Sequence, residues 1–485
     1  MPEPSRLRRS DVMAVFADAG AGGTAIPVWL VRDGIDLASL PGLDTRGRVW
    51  AATTGFTGAA RKHVIVPDDA GGIAAVLFGT GQGDSGDPCG PAELLVGLLP
   101  GLLPGGRTYK ISGAADPEMA AIAWGLGAYR FSMYRADRAL TDPPRLVLPD
   151  GQAGRRAVAT VEALWLGRDL VNTPASDMGP DELEAAARNV AAAHDARVES
   201  IVGDDLLTRN FPMIHAVGRA SPRAPRLVDI TWGRADAPKL TVIGKGIVFD
   251  TGGLNIKPVA GMGLMKKDMG GAASALAIAH MIMSEGLDVR LRVLLPIAEN
   301  SISGNAFRPG DILTSRAGKT VEIGSTDAEG RLVLADAITL ADAETPDAMI
   351  TLATLTGAAR VALGPDLPAL YTDDDQLADD IVGRGRALGD PAWRLPFWPG
   401  YDRLFDSDIA DMNNAGESPF AGSITAALFL KRYVKHARRY AHFDVYAWRP
   451  QAKPLGPKGG EAQMARTLVA LARDGRLAGK KGSSA

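Results

Sequence analysis

The sequence predicts an α/β protein with a smaller N-terminal α/β domain, a linker helix and a larger C-terminal α/β domain around a mixed central sheet. Three observations carry this. Short apolar strand-like runs alternate with apolar helical patterns. A proline- and glycine-rich break near residues 142–151 is followed by an uninterrupted helical period. The chain has 485 residues at 46% hydrophobic, too long for one core and long enough for two.

Taken in order, residues 25–31, 63–66, 73–78 and 108–111 read as strands, separated by helical patterns at 91–103 and 117–129. Such alternation argues for a largely parallel sheet. Asp142-Pro143-Pro144 and Pro149-Asp150-Gly151 then interrupt the chain. Residues 152–171 carry Ala, Val, Leu and Trp165 on one face and are read as the connector, which sets domain limits of 1–150, 151–172 and 173–485. Beyond it, strands are expected at 240–249, 288–295 and 348–355, with helices such as 272–285 between them. No internal repeat is evident, and the tail 479–485 is expected to be disordered.

Composition excludes several classes. The 53 basic and 56 acidic residues leave a net charge of −3, with no basic excess to attract nucleic acid or anionic lipid. The short patch Arg6-Leu7-Arg8-Arg9 does little to change that. Cys89 is the only cysteine, which rules out an intrachain disulfide and suits a reducing compartment. No stretch reads as a secretory signal or as a membrane span of about 20 apolar residues. A cytoplasmic location is the expectation.

The chemistry concentrates in two clusters. One is Gly324-Ser325-Thr326-Asp327-Ala328-Glu329-Gly330-Arg331-Leu332. If that stretch is extended, Asp327 and Glu329 point to the same side. The other contains Lys245, Asp250 followed by Thr251-Gly252-Gly253, Lys257, and then Asp268 followed by Met269-Gly270-Gly271. Each acid has a structural reading alone: Asp250 as a strand-ending turn, Asp268 as a helix N-cap, Asp327 as an Asx turn, Glu329 as a solvated loop acid. Together they demand more. Lys245 falls inside an expected buried strand, where a lysine is costly unless paired or neutral. Hard oxygen donors that can be shared suit a pair of divalent cations, and a lysine near a metal can be deprotonated and ligate it.

Two other patterns carry less. Gly81-Gln82-Gly83-Asp84-Ser85-Gly86 fits G-x-G-x-x-G, but Asp87-Pro88-Cys89 follows where a nucleotide-binding helix should begin. It is read as a glycine-rich loop. The six histidines (His63, His194, His215, His280, His436, His442) are scattered without metal-ligand spacing and are read as core or surface residues.

These blocks resemble the leucyl aminopeptidases, exopeptidases with two metal ions. Residues 325–332 match seven of the eight positions of the family signature Asn-Thr-Asp-Ala-Glu-Gly-Arg-Leu, with Ser325 in place of asparagine. Further blocks follow the family order: Asn172-Thr173-Pro174, Glu299-Asn300, Arg308-Pro309-Gly310-Asp311, Thr354-Leu355-Thr356-Gly357 and Asp411-Met412-Asn413. The resemblance implies a first metal held by Asp250, Asp327 and Glu329, and a second held by Lys245, Asp250, Asp268 and Glu329. Manganese or zinc is the implied pair. It further implies that Lys257 stabilises the oxyanion, and that Arg331 holds a bicarbonate acting as proton shuttle. Met265, Thr354, Leu355 and Gly357 match the pocket for the first side chain, which implies neutral, leucine-like residues released from peptide substrates. A homohexamer with no nucleic-acid or membrane partner is the implied assembly. The segment His442-Phe443-Asp444-Val445-Tyr446-Ala447-Trp448 departs from the family by a shortening of about two residues, which bears on that pocket. Ligand chemistry alone leaves a two-metal phosphoester hydrolase open, since Lys245, Lys257, Lys266, Lys267 and Arg331 can clamp a phosphate. A non-enzymatic DNA-binding hexamer is the third reading.

Overall fold

The computed structural model describes residues 11–20, 25–40, 43–86, 90–416 and 418–478. The basic patch at 6–9, Cys89 and the 479–485 tail lie outside the described residues.

The N-terminal sheet has six strands in the order Phe16–Ala17, Arg145–Val147, Thr108–Ser112, Ile26–Arg32, Ile73–Gly81, His63–Pro67. Every pairing is parallel except the last. The helix Pro117–Ala128 covers it, started by Asp116, which accepts from the Met119 N–H, and by Pro117 in the first turn. The expected helix at 91–103 forms as a tighter 3₁₀ helix, Ala92–Gly101, which contains Pro100. A proline there can donate no N–H to an α-helical ladder. The stretch 81–86 ends a strand and turns without entering a helix, as a glycine-rich loop should.

The linker helix Gly151–Asn172 joins the two sheets. Trp165 Nε1 donates to Gly125 O at 3.0 Å on the N-terminal side. Arg168 donates to Leu126 O at 3.0 Å and to Leu455 O at 2.6 Å, so one buried guanidinium ties both halves together. Against it packs Gly270–Ser284, a helix apolar on all sides and buried over almost its whole length.

The larger sheet is mixed. Its order is Trp393–Arg394, Ala369–Tyr371, Tyr440–Asp444, Ala348–Ala353, Lys239–Gly244, Arg290–Asn300, Arg226–Trp232, Arg197–Val202, with Gly246–Asp250 also pairing Arg290–Asn300. The strand expected at 240–249 is therefore two strands. It jogs at Lys245, whose N–H donates to Leu352 O (3.0 Å) and whose carbonyl accepts from Ala272 N (2.9 Å). Arg290–Asn300 runs five residues past the expected end at 295 because it pairs with both halves of the broken strand in turn. Gly244 and Gly271 make the jog possible: a Cβ on Gly244 would lie 2.5 Å from Gly271 O, and one on Gly271 would lie 2.1 Å from Leu352 O.

Candidate active site

Five mutually parallel strands deliver side chains to one edge of the larger sheet. Lys245 follows Lys239–Gly244, Asp250 ends Gly246–Asp250, and Asn300 ends Arg290–Asn300. Thr354 follows Ala348–Ala353, and Asp444 ends Tyr440–Asp444. Carboxyl ends of parallel strands are where open α/β sheets gather ligands.

The Lys245 side chain crosses the buried floor. Its Nζ lies 2.7 Å from Asp268 Oδ2 and 2.8 Å from Glu329 Oε1, and donates to Thr354 O at 3.2 Å. Gly330 clears its path, since a Cβ there would lie 2.7 Å from that Nζ. Asp250 accepts from Gly252 N and Asn300 Nδ2, both at 2.8 Å, through Oδ1. Its Oδ2 is 2.8 Å from Lys257 Nζ, which also pairs with Asp327.

Two local readings of the acids change. Asp268 is not a helix cap: it sits on the 3₁₀ turn Met265–Met269, and its Oδ1 accepts from Thr354 Oγ1 at 2.8 Å. Asp327 and Glu329 do not share an extended strand. A turn at 324–328 carries Asp327, and Glu329 opens the helix Glu329–Asp342. The two carboxylates converge by that turn, and Glu329 gains from the positive end of the helix dipole. Ser325, at the position where it replaces asparagine, accepts the Asp327 N–H at 3.2 Å.

Burial opposes charge on Lys245, but Asp268, Glu329 and Asp250 outweigh it and hold its pKa above the ordinary lysine value. Lys257 is raised in the same way, by Asp250 and Glu329 against burial. Burial and then Asp250 push Glu329 up to about 8, and burial and Asp268 raise Asp250. Two acids and two lysines so confined bind protons more tightly than usual, and an incoming cation would compete with those protons.

The donor set fits divalent ions. Oxygens of Asp250, Asp327 and Glu329 lie within 4.8 Å of one another. Glu329 Oε2 is buried with no hydrogen-bond partner among the described residues, a lone-pair donor held open. Asp268 and the Lys245 amine stand beside them, 2.7 Å apart.

A cleft of about 470 Å³ opens over this cluster. Lys245, Asp250, Lys257, Asp268, Asp327 and Glu329 line it, as do Met265, Thr354, Leu355 and Gly357. Arg331 does not. It is buried, with Nη1 donating to Asn414 O at 2.6 Å and Nε without a hydrogen-bond partner, and burial lowers its pKa to about 10. Sequence reasoning gave no individual role to Asn300, Arg360, Asp444 or Tyr446, and gave Lys267 one only as a clamp for a phosphate. Asn300 fixes Asp250, and the other four line the cleft. The signal for Asn300 is its place at a strand's carboxyl end; Arg360 and Tyr446 have no pattern of their own.

The family description "Cytosol aminopeptidase family, catalytic domain" matches residues 165–469, and "M17 aminopeptidase, N-terminal domain" matches residues 26–149. A probable cytosol aminopeptidase of Roseiflexus castenholzii is 41% identical over 373 residues, 73% of this chain and 76% of its own. The crystal structure of the cytosol aminopeptidase from Coxiella burnetii superposes with a TM-score of 0.86 at 42% identity, covering 93% of this chain and 97% of that one. The bottromycin maturation enzyme BotP in complex with Mn superposes with a TM-score of 0.83 at 30% identity, covering 93% of this chain and 99% of that one.

Proposed function

Because the chain belongs to the cytosol aminopeptidase family of peptide hydrolases, we propose that the cluster beneath the cleft works as a two-metal site releasing the first residue of peptides. The observation that carries the reading is the convergence of Lys245, Asp250, Asp268, Asp327 and Glu329 on one point, with a buried carboxylate oxygen left open.

Asp250, Asp327 and Glu329 would hold one ion, and Lys245, Asp250, Asp268 and Glu329 a second. Manganese is favoured by its presence in BotP, and zinc is the alternative. When bound, such ions lower the pKa of water and polarise a scissile carbonyl. The chain's own residues do the rest. Lys245 would hold an ion through its neutral amine, its proton passing to solvent on loading, and Gly330 leaves that side chain the room. Asn300 and Thr354 orient Asp250 and Asp268 by hydrogen bonds of 2.8 Å each. Lys257 keeps its charge and turns from Asp250 and Asp327 to the carbonyl oxygen as that oxygen becomes anionic. The unpaired Nε of Arg331 is a donor suited to a planar anion such as bicarbonate, but it is buried behind the cleft lining, so holding that anion for proton transfer would require it to reach the cleft. Met265, Thr354, Leu355 and Gly357 supply a largely apolar wall for a leucine-like stem. A cytoplasmic location is proposed, in line with the names of the relatives, and a hexamer is proposed as the assembly; no helix among the described residues is long and apolar enough to cross a membrane.

The test is hydrolysis of a leucyl chromogenic amide by chelated protein and by protein with manganese restored, beside the N-acetylated amide. Metal-dependent release that requires the free amine is expected. Tight metal uptake with no amide cleaved, but a phosphoester cleaved, would replace this reading with the phosphoesterase.

A further inference from the structure

One wall of the cleft carries two cations that the reaction above does not use. Lys267 sits on the turn Met265–Met269 and is 6% exposed, with its ammonium 4.7 Å from the Tyr446 ring centroid. Arg360 lies one turn into the helix that begins at Gly357, its guanidinium carbon 5.4 Å from the same centroid. The ring's π-system attracts both heads, so the two cations gather around one side chain. All three residues line the cleft together with Met265 and Gly357. Neither cation forms an ion pair or a side-chain hydrogen bond with another described residue.

The acid on that wall is already committed. Asp444 accepts from Leu355 N (3.0 Å), Thr356 N (3.1 Å), Thr356 Oγ1 (2.6 Å) and Ser423 Oγ (3.1 Å). A nearly buried ammonium without its own carboxylate is costly, and an anion arriving in the cleft would relieve that cost.

We propose that the cleft takes peptides whose first residue ends in a carboxylate, glutamate above all, alongside leucine-like residues. The stem of the side chain lies along Met265 and Leu355, and its carboxylate meets Lys267 and Arg360 beside Tyr446. This rests on the aminopeptidase reading and names a substrate class within it.

The test compares kcat/KM for glutamyl, glutaminyl and leucyl p-nitroanilides in the manganese-loaded enzyme. Glutamine matches glutamate in shape and removes only the charge. The Glu/Gln ratio is expected to be roughly 10 or more, since hydrogen bonds to charged groups are worth about that factor or better. It should fall towards unity in Arg360→Met and invert in Arg360→Glu. Arg360 is exposed, so both variants should fold even where Lys267→Met does not. A wild-type ratio at or below unity, with the leucyl amide cleaved, overturns the proposal and leaves the aminopeptidase standing. A preference for Leu-Gly over Leu-Gly-amide without a Glu/Gln preference also overturns it, because the cations would then read a dipeptide's terminal carboxylate. If no amide is cleaved, the aminopeptidase reading itself fails.

Discussion

Gly330→Ala separates the metal account from a purely structural one. The three atoms nearest to an added Cβ all belong to Lys245: Cε at 2.6 Å, Nζ at 2.7 Å and Cδ at 2.9 Å. In metal-free protein the lysine side chain can retreat. Alanine should also suit the helix better than glycine, by up to about 1 kcal/mol. The metal-free melting temperature should therefore hold or rise. With ions bound, Lys245 is a ligand and cannot retreat, so the overpacking of about 1–3 kcal/mol falls on the loaded state. That converts to roughly 5- to 150-fold weaker binding at the site that uses Lys245. Manganese titration by calorimetry, paired with thermal melts of the metal-free proteins, reads both quantities. Unchanged affinity would refute the assignment of Lys245 as a ligand. A fall in metal-free stability with unchanged affinity would show that Gly330 serves packing alone.

Other perturbations have distinct signatures. Glu329, pushed up to about 8, and Lys245, held above its ordinary value, are both protonated at neutral pH before loading. Metal uptake should therefore release more than one proton per chain, and affinity should fall as pH drops; calorimetry in two buffers of different ionisation enthalpy counts the protons, and a release near zero contradicts the ligand set. Asn300→Ala removes one of the two donors to Asp250 Oδ1, at 2.8 Å, and the side-chain donor to Thr326 O, at 3.1 Å. It should cost about 1–3 kcal/mol of stability and weaken metal binding roughly 10- to 100-fold, both measurable in the same titrations. Lys257→Met should lower kcat roughly 100- to 1,000-fold while the protein still loads its metal; loss of metal with unchanged kcat per loaded chain would make Lys257 a positioning residue instead.

The sequence showed the cluster because its members are rare residues in improbable places: a lysine in a buried run, and acids flanked by glycines. It did not show how they meet. Nothing in residues 240–249 announces the jog at Lys245, which depends on Gly244 lying against Gly271 of the helix Gly270–Ser284. The same limit holds for Asp327 and Glu329, whose spacing suits an extended strand but whose convergence comes from a turn into a helix. The main helices were legible: 152–171 and 272–285 fall inside Gly151–Asn172 and largely inside Gly270–Ser284, since long apolar periods specify helices strongly. The cleft's far wall was not legible. Lys267, Arg360 and Tyr446 come together only because three separate segments fold onto one edge of the sheet.

The most direct test of the central claim is to count the ions that switch on cleavage. Metal-stripped protein would be titrated with manganese while bound metal per chain and leucyl amide hydrolysis are followed together, in wild type and in Asp268→Asn. The account predicts two ions per wild-type chain, activity that rises with their binding, and a variant that loses mainly the site shared with Lys245. Full activity in the stripped protein, or a wild-type chain that takes up no ion, would contradict it.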